Sequence, residues 1–142
     1  MRILRTTICV ALLLSGLAVT GPITPVAAAS PNCNSFNGGP WRASDGHPVD
    51  ANLPTFNRNP FCILGQGNTG KAVQVLQIAL ARCNNADLGS SGADGIYGPI
   101  TRNIVLFIQA ANGITADGVY GPQTLRVLRW PANTGGCWRL NP

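Results

Sequence analysis

The stretch Asp94-Gly-Ile-Tyr-Gly-Pro-Ile-Thr101 is repeated 23 residues further on as Asp117-Gly-Val-Tyr-Gly-Pro-Gln-Thr124. An alanine precedes each copy, and hydrophobic residues follow both copies at matching positions. Two copies this close together in a chain of 142 residues indicate one fold that is built from duplicated loop–helix units.

The residue types of the repeat predict a structured turn that leads into a helix. The Asp-Gly pair favours a turn because glycine takes positive φ freely and the Asp carboxylate accepts backbone N–H groups. The Gly-Pro pair then places proline at the first helical position, where its missing N–H costs nothing. A threonine follows in the first helical turn, where its hydroxyl can bond back to the loop. The predicted structural turn residues are Asp94, Gly95, Gly98, Asp117, Gly118 and Gly121.

Apolar residues at helical spacing predict three helices and no convincing strand. The first covers Lys71 to Arg82, the second begins at Pro99 and ends at Asn112-Gly113, and the third runs from Pro122 to Trp130-Pro131. The second helix carries a stripe expected to face the core, formed by Ile100, Ile104, Phe107, Ile108 and Ala111. The predicted fold is therefore all-α, a small three-helix bundle whose helices pack on one another.

The N-terminus has the pattern of a secretory signal peptide, predicted to cover residues 1–29. Arg2 and Arg5 precede a short apolar run, and Ala27-Ala28-Ala29 offers a small-residue cleavage site. A membrane anchor is the alternative, but the run is short for a bilayer span. We therefore expect a secreted, extracellular protein without a membrane contact after cleavage.

The remaining chain, residues 30–142, divides into three parts. Residues 30–61 are rich in Asn, Pro and Gly and predict an irregular segment, with a flexible linker as the alternative. Residues 62–130 form the predicted domain, and residues 131–142 form a C-terminal tail. Without Arg2 and Arg5, eight basic residues face five Asp, a net charge of +3. This modest charge does not indicate nucleic-acid binding and favours an anionic wall polymer only weakly.

Four cysteines remain after signal cleavage, and an even count in a small exported chain predicts two disulfides. Zinc binding is the alternative, but the chain has no Cys-x-x-Cys and a single histidine, His47, so no metal or cofactor is expected. Four cysteines allow three pairings. We expect Cys62–Cys137 to join the entry and exit of the bundle and Cys33–Cys83 to fasten the irregular segment to the first helix.

Residues 62–130 resemble the peptidoglycan-binding domain of many bacterial cell-wall hydrolases. The resemblance is carried by the doubled Asp-Gly-x-Tyr-Gly-Pro-x-Thr and by three further elements, which are Leu64-Gly65, Val73-Gln74-Val75-Leu76-Gln77 and Phe107-Ile108-Gln109. The family usually has Phe directly before Gln, so Ile108 is a departure that puts the helical phase there in doubt. The resemblance implies a three-helix module that attaches proteins to peptidoglycan, and hence a cell-wall-associated location.

Six residues are candidates for ligand contact. Polar side chains early on the second and third helices suit hydrogen bonds to amides, hydroxyls or stem-peptide carboxylates, and a solvated face explains them equally well. Two tyrosines can stack on sugar rings, although packing in the core is the commoner role at this position. The candidates are Arg102, Asn103, Gln123, Arg126, Tyr97 and Tyr120.

Catalysis is not expected. Asp94 and Asp117 are better explained as turn formers than as a glycosidase carboxylate pair. Asp45 and His47 suggest general-base chemistry, but a polar turn at Asp45-Gly46-His47-Pro48 explains them. The predicted function is a secreted, monomeric, non-catalytic module that binds the glycan or stem peptide of peptidoglycan. The alternatives are a protein-interaction module, such as a partner of a wall hydrolase, and a small lytic enzyme that uses Asp45 or His47.

Overall fold

The computed structural model describes residues 29–142, so the predicted signal peptide, apart from Ala29, lies outside the described residues. The element order is β1 (Ser35–Arg42), β2 (Pro48–Thr55), α1 (Lys71–Cys83), a short 3-10 turn (Gly89–Ser91), α2 (Pro99–Ala111), α3 (Pro122–Val127), β3 (Arg129–Pro131) and β4 (Cys137–Arg139). No helix in this part of the chain is long and apolar enough to cross a membrane.

The prediction of an all-α three-helix bundle is wrong, because two antiparallel hairpins flank the helices. β1 pairs with β2 over all eight residues, from Ser35 opposite Thr55 to Arg42 opposite Pro48. The segment predicted to be irregular is therefore a hairpin. In β2, Val49, Ala51 and Leu53 are buried at a period of two, whereas Pro and Gly mask the same pattern in β1.

The C-terminal segment forms the second hairpin, in which Trp130 of β3 lies opposite Trp138 of β4. Isolated bridges join the two hairpins, with Ala51 opposite Ala132 and Ala43 opposite Leu140. We call the two hairpins together the β cap (residues 35–55 and 129–139). α1 packs mainly against the β cap rather than against the other helices.

The helices begin where the sequence predicts, but their packing differs. α1 buries Val73, Leu76 and Leu80 as expected. On α2, the stripe predicted for the core is wrong at Ile100, Phe107 and Ala111, which are exposed, Ile100 by 52% and Phe107 by 72%. Its other two members, Ile104 and Ile108, are half-buried and pack against the core. α2 instead buries Thr101, Val105 and Gln109. Part of the stripe is exposed because few elements pack against α2. The side of α2 that faces inward contains both polar and apolar residues and contacts the second repeat. α3 ends at Val127, before Trp130.

The four cysteines form two disulfides, but the expected pairing is wrong. The bonds join Cys33 to Cys62 and Cys83 to Cys137. The first holds β1 against the segment before α1, where Cys33 N–H also donates to the Ile63 carbonyl. The second joins the end of α1 to β4. The first bond therefore fastens the start of the β1–β2 hairpin to the segment before α1, and the second fastens the β3–β4 hairpin to α1.

Candidate functional site

A buried glutamine organises each repeat. In the first, Gln77 of α1 is 2% exposed and its Nε2 lies 3.0 Å from Asp94 Oδ1, 3.0 Å from the Ile96 carbonyl and 3.1 Å from Thr101 Oγ1. The Gly95 N–H donates to Gln77 Oε1 at 2.7 Å. One side-chain amide therefore accepts one backbone N–H and lies within hydrogen-bonding distance of three acceptors along the turn.

The second repeat has the same network around Gln109 of α2. Its Nε2 lies 2.9 Å from Asp117 Oδ1, 2.9 Å from the Val119 carbonyl and 3.0 Å from Thr124 Oγ1. The Gly118 N–H donates to Gln109 Oε1 at 2.8 Å. The helical phase is therefore kept despite the intervening Ile108, and the four contacts of the glutamine amide are the same in both repeats.

The two Asp-Gly pairs shape the turns of both repeats. Asp94 Oδ1 and Asp117 Oδ1 each accept an N–H from the residue two positions on, at 2.8 Å. The Ile96 N–H and the Gln77 amide hold the pKa of Asp94 below its usual value. Gly95 and Gly118 have φ of 78° and 70°, a region that favours glycine.

The network leaves a shallow cleft beside each repeat. The second cleft, of about 290 Å³, is lined by Ile63, Gln109, Thr115, Asp117, Val119, Gly121, Pro122, Gln123 and Thr124. The first cleft, of about 180 Å³, is lined mainly by the residues at the corresponding positions of the first repeat. The linings differ where Gln123 and Thr115 of the second cleft correspond to Ile100 and Gly92 of the first, and where Leu88 and Ser91 line only the first.

The four polar candidates all lie on α2 and α3, and the structure brings three of them to the second repeat. Gln123 is exposed and lines the second cleft. Arg102 donates to the Asp117 carbonyl at 3.3 Å. Arg126 lies 5.4 Å over the Phe61 ring, two residues before the cleft residue Ile63. Asn103 is exposed on α2 and makes no side-chain hydrogen bond among the described residues.

Both candidate tyrosines are fully buried, so neither ring is presented for stacking on a sugar. The Tyr97 hydroxyl donates to the Gly118 carbonyl at 3.0 Å, which connects the two repeats. Tyr120 packs edge-on against Trp130, and its hydroxyl has no partner among the described residues. Burial raises the pKa of both tyrosines above the usual value.

The remaining titratable candidates lie in an exposed turn of the β cap. The Asp45 carboxylate is hydrogen-bonded to His47 Nδ1, and the His47 ring meets the Trp138 ring edge-on with centroids 4.4 Å apart. All the described cysteines are in disulfides, and residues 29–142 contain no group of three metal-ligating side chains.

Sequence reasoning missed the roles of Gln77 and Gln109. Both stand in the quoted family elements, and Gln77 falls between apolar residues on the inward side of a helix, which is the available signal. A glutamine in a buried stripe must satisfy its amide internally. The Asp-Gly turns contain unpaired backbone groups that can form hydrogen bonds with this amide.

Comparison with known families supports the quoted motifs. Residues 69–128 match the family described as putative peptidoglycan binding domain. The resemblance predicted from the sequence is therefore confirmed over α1, α2, α3 and both repeats. All four strands of the β cap lie outside the matched residues.

Two solved structures are similar to parts of this chain. The crystal structure of the SleB N-terminal domain is 28% identical, with 45% of this chain and 84% of that chain covered and a TM-score of 0.41. A peptidoglycan-binding protein from Clostridioides difficile, in complex with glutamine hydroxamate, is 26% identical. The match covers 57% of this chain and 59% of that chain, with a TM-score of 0.42. The present chain thus spans less than two thirds of that second protein. No curated protein matches the chain.

Proposed function

We propose that this protein is a secreted, non-catalytic, monomeric module that binds bacterial peptidoglycan non-covalently through the second cleft. The observation that carries the proposal is the family match over residues 69–128, which contains both repeats and nearly all residues of that cleft. The N-terminal signal pattern and the two disulfides support export from the cell.

The chemistry of the second cleft suits a ligand that has hydroxyl and amide groups on an apolar frame. Val119, Pro122 and Ile63 are half-buried and provide apolar surface, while Thr115 and Gln123 are exposed and provide hydrogen-bonding groups. Sugar rings and short peptides both combine these features. A shallow open cleft also fits a polymer, because a polymer passes through the site and does not need to be enclosed.

Two cations lie near the rim of this cleft. Arg102 donates a hydrogen bond to the carbonyl of Asp117, a residue that lines the cleft. Arg126 lies one helical turn beyond Gln123 on α3. Both guanidinium groups suit the carboxylates of stem peptides. The Asp94 and Asp117 carboxylates are each held by backbone and glutamine donors and serve the turns, so the proposed role needs no acid–base pair.

Co-sedimentation tests the proposal. The purified, oxidised protein is incubated with insoluble peptidoglycan stripped of teichoic acids, and the depleted fraction is measured at low and moderate salt. We expect saturable depletion that persists in moderate salt. Protein that stays in the supernatant at low salt would contradict the proposal.

The repeat offers a matched pair of variants for the same assay. Gln123→Ile gives the second cleft the residue of the first, and Ile100→Gln makes the reverse change. We expect Gln123→Ile to weaken binding about threefold to tenfold, the effect of one hydrogen bond of about 1 kcal/mol, and Ile100→Gln to leave it intact. Equal binding by both variants would place the ligand outside the second cleft.

A protein-interaction module is the second candidate, favoured by apolar side chains on α2. Ile100 and Phe107 are exposed seven residues apart, on one side of the helix, and Ile96 is exposed beside them. Such a surface suits a protein partner such as a wall hydrolase. A pulldown from culture medium that recovers one specific protein, and loses it with Phe107→Ser, would support this candidate. Recovery of no specific protein would count against it.

A further inference from the structure

A separate cavity of about 360 Å³ lies between α1 and the β cap. Its first wall is one face of α1, with Val75, Ile78 and Arg82 three to seven residues apart. Its second wall is Asn52 of β2 together with the turn between β3 and β4, at residues 131–135. The second wall lies wholly outside the family match at residues 69–128, so this cavity is a property of the added β cap.

The charge of the cavity is set by one cation. Arg82 is exposed, and its guanidinium has no hydrogen bond or ion pair with any of the described residues. No carboxylate lines the cavity, since Asp50 shares the outward face of β2 with Asn52 but is not among the lining residues. An unpaired guanidinium at the edge of a cavity without acids favours a planar anion, and a carboxylate fits it bidentately.

The rest of the lining suits a peptide that carries small side chains. Val75, Ile78 and Ala132 are half-buried and provide an apolar floor. Asn52 Nδ2 lies 3.5 Å from Asn133 Oδ1, a long contact that leaves Asn133 Nδ2 without a hydrogen bond among the described residues. A free side-chain amide can pair with a peptide carbonyl. The volume is at the lower end for small-molecule sites, which limits the ligand to about two residues.

The walls of the cavity are held at a fixed separation. The Cys83–Cys137 disulfide joins the residue after Arg82 to the first residue of β4. On the other side, the Asn133 N–H donates to the Asp50 carbonyl at 2.8 Å, which fixes the turn to β2. A site whose walls are covalently tied loses little entropy when it takes up a ligand.

We propose that this cavity binds the free carboxyl end of a short peptide with small apolar side chains. Arg82 would hold the carboxylate, Asn133 the preceding peptide group, and the α1 face the methyl groups. The choice of peptide rests on the proposed function: in a wall-binding protein the fitting ligand is the D-alanyl-D-alanine end of a peptidoglycan stem peptide.

Titration of the labelled, oxidised protein with N-acetyl-D-alanyl-D-alanine, followed by amide NMR shifts, tests this site. We expect saturable shifts at residues 132–136 and at the Asn52 and Asn133 side chains. The matching dipeptide amide, which lacks the carboxylate, should bind at least tenfold more weakly, because a charge-assisted bidentate contact is lost. Arg82→Gln should cause the same loss, and Arg82→Lys a smaller one.

A control variant removes one positive charge elsewhere. Arg58→Gln alters an exposed arginine that lies outside this cavity, and it should bind the dipeptide as the unchanged protein does. Absence of shifts at residues 132–136, or equal binding of the acid and the amide, would overturn the site. Equal binding of N-acetyl-L-alanyl-L-alanine would overturn the assignment to a stem peptide and point to the C-terminus of a protein.

The failure of this site and of the proposed function are separable. Co-sedimentation that is unchanged by Arg82→Gln, together with no dipeptide binding, rejects the cavity and leaves peptidoglycan binding by the second cleft in place. Dipeptide binding by a protein that does not sediment with peptidoglycan rejects the proposed function instead.

Discussion

At the scale of single residues, Gln77 and Gln109 carry the architecture of the repeats. Each places one side-chain amide against an Asp carboxylate, a backbone carbonyl, a Thr hydroxyl and a glycine N–H. Buried polar groups that are fully satisfied fix one conformation, and partly satisfied ones are costly. The repeats are therefore defined by a hydrogen-bonding pattern as much as by the turn residues that make them visible in the sequence.

Removal of one glutamine should destabilise the protein strongly. Gln109→Ala leaves the Gly118 N–H and the Asp117 loop without their partner, and we expect a loss of about 2 to 3 kcal/mol in the free energy of unfolding. Urea unfolding of the oxidised protein measures this change in the free energy of unfolding. Gln123→Ala, at an exposed position on α3, is the control and should change stability by less than about 0.5 kcal/mol. Equal effects of the two changes would contradict the role of Gln109.

The two repeat glycines combine an unusual φ with a close neighbour. In Gly118→Ala the new methyl group would lie 2.8 Å from Arg102 Cγ and 3.2 Å from the Arg102 carbonyl oxygen, at φ 70°. We expect a loss of about 3 kcal/mol, from backbone strain plus crowding. Gly113→Ala has a similar φ of 67° and open space, so it isolates the strain at about 1 kcal/mol. Thermal or urea unfolding measures the loss of stability in each variant. A loss in Gly113→Ala as large as that in Gly118→Ala would exclude a contribution from crowding.

Stability should fall in acid through Asp94. Its folded-state pKa is held below 3.8 by the Ile96 N–H and the Gln77 amide. A depressed pKa contributes stability that is present above the unfolded-state pKa and is lost as pH falls through the folded-state value. The stability difference between the unchanged protein and Asp94→Asn should therefore shrink from pH 5 downward, measured by urea unfolding at each pH. A difference that is constant with pH would contradict this role.

At the scale of elements, the repeats could be predicted and their surroundings could not. Gly-Pro marks the starts of α2 and α3 locally, and Asp-Gly marks both turns, so these features can be predicted from adjacent residues. The exposure of Ile100 and Phe107 depends on what packs against α2, which no local pattern records. The same limit applies to the candidate site: Gln123 was proposed as a polar residue, but its position in a cleft follows from the fold.

The hairpins of the β cap show a second limit of local patterns. Val49, Ala51 and Leu53 alternate visibly, but β1 contains Gly38-Gly39-Pro40, which argue against a strand. The hairpin is stabilised by distant partners, through the Ala51–Ala132 bridge and the Cys33–Cys62 bond. The cysteine pairing was mispredicted for the same reason, because it depends on strands that were not expected.

The two disulfides should differ in their response to a reductant. Cys33 and Cys62 are buried, whereas Cys83 and Cys137 are half-buried. Under native conditions we expect dithiothreitol to reduce Cys83–Cys137 first, as followed by alkylation and peptide mass spectrometry. The Cys83→Ser/Cys137→Ser variant should lose about 4 kcal/mol of stability in the chain-entropy account, because the bond closes a loop of 54 residues. Earlier reduction of Cys33–Cys62 would contradict the predicted order.

At the scale of the whole molecule, a β cap packs on α1 of a helical core that matches the putative peptidoglycan binding domain family. The core, matched over residues 69–128, contains the two repeats and their clefts. The β cap packs against α1 and is joined to it by the Cys83–Cys137 bond, whereas Cys33–Cys62 ties the residues before β1 to the segment between β2 and α1. The core thus carries the proposed wall-binding site, and the cap creates the Arg82 cavity beside it.

Residue-resolved NMR of the labelled, oxidised protein, titrated with soluble peptidoglycan fragments, tests the central claim most directly. The account predicts saturable shifts that centre on residues 115–124, at the second cleft, and that are reduced in Gln123→Ile but retained in Ile100→Gln. Shifts confined to the exposed face of α2, or no shifts at saturating fragment concentrations, would contradict binding of peptidoglycan by the second repeat.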